Sequence, residues 1–170
     1  MKKFLLVILV IICTIFVTYT KDLNRAKDMI DSNQLNNLIS TCLKEQANLS
    51  NSSIPTFEEH VLIGTKAKTD KIVAYVAGFS MSFKVSNNKA YESSGGEFTG
   101  TITLSKVNDK YIISSYNFPV SSNDAKDLFK GSYKSELNKV DFKSLKNKIY
   151  VKAIDYFNSK KIEISQIKGA

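Results

Sequence analysis

Residues 71–85, KIVAYVAGFSMSFKV, decide the fold of this chain. The run is rich in β-branched and aromatic residues, which favours a β-strand. Its positions alternate, but both parities are partly apolar, with Ile72 and Val76 on one and Tyr75 and Phe79 on the other. A strand with two partly apolar faces is typical of a sheet that carries helices, and we expect the helices on one face.

Three further strands are predicted around this run. Residues 59–66 precede it across a short polar stretch at 67–70, which has the composition of a hairpin turn. Residues 86–89 form a second turn, and the segments 97–107 and 110–118 flank Asn108 and Asp109, a further hairpin signal. The four segments therefore predict an antiparallel meander of about four strands.

Helical periodicity lies on both sides of the predicted sheet. Apolar residues recur at three- and four-residue steps over residues 23–47, which predicts an amphipathic helix. After the strands, Asn123 or Asp124 could cap a short helix that Gly131 ends, and a longer helix is predicted over 141–158. The sequence therefore predicts an α+β fold with an N-terminal helix, four strands and two C-terminal helices, in a cystatin-like or NTF2-like layout.

The first twenty residues have the pattern of a targeting segment. Lys2 and Lys3 precede an apolar run at 4–17, and the uncharged stretch 4–20 just reaches the length that spans a bilayer as a helix. Residues 18–20 fit a cleavage site poorly, so we favour a signal anchor over a cleaved signal peptide. We therefore expect residues 21–170 to form one domain outside the cytoplasm, either held at the cell membrane by residues 4–20 or secreted.

The charge of the chain is moderately positive. Its 170 residues are 43% hydrophobic, enough for one domain with a core, and 24 Lys and Arg oppose 16 Asp and Glu, a net charge of +8. An anionic surface or a protein is an expected partner, and nucleic acid is not. Lysines of the predicted 141–158 helix either form a solvated face or contact an anionic membrane or wall polymer: Lys143, Lys146, Lys148 and Lys152.

Few residues suggest catalysis. His60 is the only histidine and follows Glu58 and Glu59, so it could act as a base oriented by a carboxylate. The chain has no HExxH motif and no second histidine for a zinc site, and Cys42 lies on the apolar stripe of a predicted helix, where a thiol is buried and inert. We therefore predict no catalytic residues, no metal and no cofactor.

Two other features are candidate binding sites. Residues 93–96, SSGG, could cradle a phosphate, but a flexible turn between strands is the better interpretation. Aromatic side chains of the predicted strands, with an apolar body and often a polar tip, could line a ligand pocket in a curved sheet, or could simply be core. The predicted ligand-binding residues are Tyr75, Phe79, Tyr91, Tyr111 and Tyr116, with Phe83 beside them.

Short motifs between residues 57 and 130 resemble a known family. They include Glu59-His60, Gly64-Thr65 and Ser94-Gly95-Gly96, and they continue through Thr101-Ile102-Thr103-Leu104 to Pro119. This pattern resembles a domain at the extracytoplasmic end of BlaR1-type M56 membrane peptidases and in small secreted proteins of low-GC Gram-positive bacteria. The peptidase chemistry of that family belongs to a separate membrane part with HExxH. The resemblance therefore implies an accessory or sensing module.

The family pattern continues after its proline with Asp-Gly-Ser, whereas this chain has Val120, Ser121 and Ser122. Taken together, the sequence predicts a non-enzymatic, membrane-anchored or secreted binding or sensing module. Two alternatives stay open. One is a small hydrolase-like enzyme that uses His60 with a neighbouring glutamate. The other is an electrostatic binder of anionic membrane or wall polymer.

Overall fold

The computed structural model describes residue 26 and residues 29–47, 54–120 and 122–164. The predicted targeting segment at residues 1–20 lies outside these ranges. Within them, no helix combines the length and the apolar character that crossing a membrane requires.

Four long strands form an antiparallel sheet in the order in which they follow one another along the chain. A fifth, two-residue strand pairs in parallel with the start of the third. The predicted meander is therefore confirmed. The strands are β1 (Thr56–Lys68), β2 (Lys71–Ser86), β3 (Lys89–Val107), β4 (Lys110–Asn117) and β5 (Glu163–Ile164).

Two of the hairpins turn on residues that adopt the left-handed backbone conformation. Asn87 and Asn88 have φ angles of 50° and 59°, and Asn108 and Asp109 have φ angles of 48° and 63°. Asn and Asp tolerate this conformation better than other side chains, and two such residues in succession match the twist of the flanking strands. Both turns lie where the sequence predicts them.

The interpretation of residues 93–96 as a flexible turn is wrong. Ser94, Gly95 and Gly96 lie inside β3, where they pair with Ser82, Met81 and Ser80 of β2. Gly95 is needed for close packing here, because a Cβ added at this position would stand 2.8 Å from the Ser80 carbonyl oxygen, whereas a Cβ at Gly96 would meet open space. Gly95 thus marks a close approach within the sheet rather than a break in it.

The structure has four helices in its described ranges: α1 (Ser32–Ala47), α2 (Ser122–Leu128), α3 (Ser132–Leu137) and α4 (Phe142–Ser159). The predicted α+β layout is confirmed, with α3 as an additional short helix. Within the predicted 23–47 helix, Ala26 and Met29 are helical, but the chain bends at Ile30 and α1 begins anew at Ser32, where Asp31 caps it by accepting a hydrogen bond from the Gln34 backbone N–H at 3.0 Å. Asp141 caps α4 in the same way through Ser144 at 3.0 Å.

The helices cover both faces of the sheet, not one as we expected. On β2, Ile72, Ala74 and Val76 pack in one cluster with the buried side of α1, including Cys42, whose burial is as predicted. The alternate positions Met81 and Phe83 pack with α4. Ala77, on that second face, joins Phe129 and Leu137 beside α2 and α3. The two partly apolar parities of residues 71–85 thus reflect two covered faces.

Candidate functional site

A cavity of about 420 Å³ lies between α1 and the edge strand β1. One part of its wall is apolar and the other part is polar, and this mixture is usual for small-molecule sites. The apolar lining comes from Ala26, Ile30, Leu35 and Leu62, and the polar lining from Ser32, Asn36, Ser40, Glu58, Glu59, His60, Thr65 and Lys152.

A β-bulge in β1 determines which β1 side chains line this cavity. Leu62 pairs with Val76 and Gly64 with Tyr75, so Ile63 is an additional residue inserted between these two pairs of the register. Ile63 packs into the cluster on the α2 and α3 side of the sheet. Because of this extra residue, Thr65 lies on the α1 face of β1, together with Glu58, His60 and Leu62. In the register, Glu58 pairs with Ser80, His60 with Gly78, Leu62 with Val76 and Thr65 with Ala74.

Glu58 is the centre of the polar part. Its side chain is 5% exposed, and it accepts a hydrogen bond from Ser40 Oγ at 2.6 Å on Oε1 and lies 2.9 Å from His60 Nδ1 through Oε2. Burial alone would raise the pKa of this carboxyl. The hydrogen bonds from His60 and Ser40, with the charges of His60 and Lys152, outweigh burial and hold the pKa of Glu58 below its ordinary value. Glu58 is therefore ionised at neutral pH.

The ionised carboxylate determines which ring nitrogen of His60 carries the proton of their hydrogen bond. A carboxylate can only accept, so the proton of this hydrogen bond sits on Nδ1 of the imidazole. We assign this tautomer from the hydrogen-bond network. No side chain or backbone group of the described ranges hydrogen-bonds Nε2. In the neutral ring Nε2 is thus an acceptor available to a ligand.

Thr65 contributes an unsatisfied hydroxyl. The residue is 2% exposed, and its Oγ1 has no hydrogen-bond partner among the residues that the structure describes. Its backbone carbonyl, in contrast, accepts a hydrogen bond from the Tyr133 hydroxyl at 2.9 Å. Buried polar groups are nearly always paired, so an orphaned hydroxyl in a cavity wall marks a place where a ligand can supply the partner.

Lys152 is the cation nearest to the two glutamates of the cavity wall. Lys152 Nζ lies 2.5 Å from Glu59 Oε1 and donates to the Glu58 backbone carbonyl at 3.4 Å. Two carboxylates thus face one ammonium, with the His60 ring beside them. In the described ranges, no group of three His, Cys, Asp or Glu side chains could hold a metal ion.

The arrangement differs from a nucleophilic triad. In such a triad the serine hydroxyl bonds to the histidine, and the acid lies on the far side of the ring. Here the Ser40 hydroxyl donates to Glu58, on the other oxygen from the one that holds His60. The site therefore presents an oriented imidazole, suited to accept a hydrogen bond or a proton, without an activated serine.

The aromatic residues predicted to bind a ligand are dispersed. Tyr75 stacks on Tyr133 with ring centroids 4.4 Å apart, and Phe79 packs in the α4 cluster, both on one face of the sheet. Tyr111 is buried in the α1 cluster on the other face. Tyr91 and Tyr116 are 44% and 48% exposed. The structure does not bring these five side chains together, and none of them lines the cavity beside α1.

Two lysines of α4 already interact with other side chains of the protein. Lys152 pairs with Glu59, and Lys146 lies over the rings of Phe79 and Tyr150, at 5.8 and 5.6 Å from their centroids. Lys148 lines a separate shallow depression near the start of α4. The surface available to an anionic polymer is therefore smaller than the sequence suggests.

Sequence reasoning identified His60 and a glutamate partner but missed Ser40 and Thr65. One signal could have selected Glu58 over Glu59, because residues two apart in a strand share a face, whereas neighbours point to opposite faces. For Ser40 no such signal exists, because its hydrogen bond to Glu58 joins a helix to a strand, between residues that are 18 positions apart in the sequence. The face on which Thr65 lies depends on the bulge, and no pattern in the sequence predicts that bulge.

Comparison of the chain with models of protein families, with curated proteins and with solved structures gave no match.

Proposed function

We propose that this protein is a non-enzymatic binding or sensing module that takes a small molecule into the cavity between α1 and β1. The observation that carries the proposal is the unsatisfied Thr65 hydroxyl in the same cavity as the oriented His60 ring. Folded proteins rarely contain a buried hydroxyl without a hydrogen-bond partner, because such a group lowers the free energy of unfolding. A ligand with polar groups at the right places would remove that cost.

We further propose that the module works outside the cytoplasm, held by residues 4–20 or secreted. This part of the proposal rests on the charged start and apolar run of the sequence. Fractionation of cells that express the full chain tests it: we expect the protein in the membrane or the medium. Recovery in the cytosol would contradict it.

A ligand screen on the full-length protein tests the binding proposal. A compound that prefers the native state raises the midpoint of thermal unfolding. Asn36→Phe places a large ring at an exposed position of the cavity lining, and we expect it to abolish the response. Asn37→Phe is the matched control, because Asn37 is also exposed on α1 and does not line the cavity. Equal responses of both variants would place the binding elsewhere.

A second candidate function is a small hydrolase-like enzyme with His60 as a general base. The geometry that favours it is the 2.9 Å contact of Glu58 with Nδ1, which leaves Nε2 free to take a proton from water or substrate. Ester and amide substrates sized for the cavity would test it. Activity that falls at least about 100-fold in His60→Ala, as general-base loss requires, would support the enzyme, and activity that persists would eliminate this base.

A further inference from the structure

We infer that the cavity selects a linear, uncharged molecule with a hydroxyl at each end and an apolar middle, held by His60 at one end and Thr65 at the other. This inference rests on the proposed binding function and names the class of ligand for it. It follows from the order of side chains on one face of β1, from the charges, and from the distance between the two polar groups.

The two polar groups stand at separate places along the strand. Through the register, His60 lies opposite Gly78 and Thr65 opposite Ala74, a separation of four residues on β2. Four strand residues span about 13 Å. A single hydroxyl therefore cannot reach both, and a ligand that satisfies both must be elongated along β1.

Apolar side chains line part of the cavity, beside Ser32 and Asn36 of α1. Leu62 lies on the same face of β1 between His60 and Thr65, and Ile30 and Leu35 line the cavity from the side of α1. Methylene groups of a ligand gain free energy by leaving water for these apolar side chains, whereas a polar group placed against them would lose its hydrogen bonds to water without replacement. The ligand therefore has its polar atoms at its ends.

The charges favour an uncharged ligand. Both oxygens of Glu58 are already hydrogen-bonded, and Glu59 is paired with Lys152, so a charged ligand would have to displace an existing partner to be compensated. Two carboxylates against one ammonium further disfavour a carboxylate ligand. A hydroxyl suits both ends, because it can donate to His60 Nε2, and at the other end it can either donate to or accept from Thr65.

The spacing also limits the length. Two O–H hydrogen bonds of about 2.8 Å each, taken from about 13 Å, leave about 7 Å between the polar atoms of the ligand. An extended chain of roughly five or six carbon atoms between two hydroxyls has this length. The probes are therefore the α,ω-diols from 1,3-propanediol to 1,8-octanediol, with the straight-chain mono-alcohols as their controls.

Histidine NMR measures this binding without assignment of the protein, because the chain has one histidine. With the full-length protein, we expect the His60 imidazole signal to shift and saturate with 1,5-pentanediol or 1,6-hexanediol. Affinity should peak at this length for the diols and rise steadily with length for the mono-alcohols, whose second end is apolar. 1,3-Propanediol reaches only one end and should bind at least about fivefold more weakly than the best diol.

Thr65→Val tests the second end directly. The advantage of 1,5-pentanediol over 1-pentanol should fall about fivefold in this variant, because the valine cannot pair with the second hydroxyl. Thr56→Val is the matched control, since Thr56 lies on the same strand but outside the cavity lining, and it should leave the ratio unchanged. A sodium hexanoate titration should give no saturating shift.

The outcomes separate this inference from the proposed function. Four results would each overturn the inference. They are a diol series without a length maximum, an affinity ratio of 1,5-pentanediol to 1-pentanol that Thr65→Val leaves unchanged, saturable binding of hexanoate, and the absence of any diol binding. In all four cases the proposed function still stands if the ligand screen gives a compound whose effect Asn36→Phe removes. If the screen also fails, both are wrong.

Discussion

Replacement of Thr65 by valine should make the ligand-free protein more stable. Valine has nearly the shape of threonine but no hydroxyl, so the substitution removes only the group that lacks a partner in the described structure. A buried, unsatisfied polar group costs about 1 to 3 kcal/mol. At 2% exposure, Thr65 should carry most of that cost. We expect Thr65→Val to raise the free energy of unfolding by about 1 to 2 kcal/mol.

Urea denaturation without added ligand is the appropriate assay. With an m-value of about 2 kcal/mol/M, the midpoint should rise by roughly 0.5 to 1 M while the m-value stays constant. A matched control is Thr56→Val on the same strand. The Thr56 hydroxyl lies 2.9 Å from Ser82 Oγ and donates to the Ile54 carbonyl at 3.2 Å, so this second variant should lose about 1 kcal/mol instead.

The opposite sign of the two effects is the essential result. If Thr65→Val lowers stability as much as Thr56→Val does, the Thr65 hydroxyl already has a favourable partner in the free protein. The main support for a ligand at that end of the cavity would then be lost.

Further predictions concern the polar network and the core. Glu58→Ala should lower the free energy of unfolding by about 3 kcal/mol in urea denaturation, because it leaves Ser40 and His60 without their acceptor; a change under 1 kcal/mol would contradict the buried network. The folded pKa of Glu58 lies below its ordinary value of 4.5, so the unfolded chain binds the proton more readily. The stability that the ionised carboxylate provides should be complete above pH 4.5 and disappear as the pH falls through the lower folded pKa, whereas Glu58→Gln should show no such loss from this site. Long-range ¹H–¹⁵N NMR should show His60 with its proton on Nδ1 when the ring is neutral, and a proton on Nε2 would refute the assigned hydrogen bond. Phe157→Ala empties a fully buried position that contacts the Phe83 ring at 5.6 Å and should cost about 3 to 5 kcal/mol, while Val151→Ala at an exposed position of the same helix should stay within about 0.5 kcal/mol.

Local signals were sufficient for most of the fold. Residues 71–85 alternate and are rich in β-branched and aromatic residues, and Asn108 and Asp109 favour a tight turn by themselves, so neither prediction required knowledge of distant contacts. The break in the predicted helix at Ile30 and Asp31 was missed because the apolar stripe continues through Ile30 and conceals the Asp31 cap. The strand position of Ser94 to Gly96 was missed because composition alone does not show that the Ser80 carbonyl requires a glycine at position 95.

The candidate site was less accessible from the sequence. The Glu58–His60 pair lies within one strand and could be predicted as a local pattern. Its third member, Ser40, comes from α1, and only tertiary packing shows that contact. The predicted aromatic site failed to assemble because alternate strand positions and separate strands divided Tyr75 from Tyr111 between opposite faces.

The additional residue at Ile63 makes binding specificity separable from architecture. Deleting Ile63 would restore a regular pairing of β1 and leave Thr65 on the α1 face with Glu58 and His60, so only the side chain packed on the opposite face would be lost. A regular strand that kept Ile63 would instead turn Thr65 away from α1 and leave the cavity with a single polar end. The bulge, and not the presence of a threonine alone, therefore determines whether the cavity has one polar end or two.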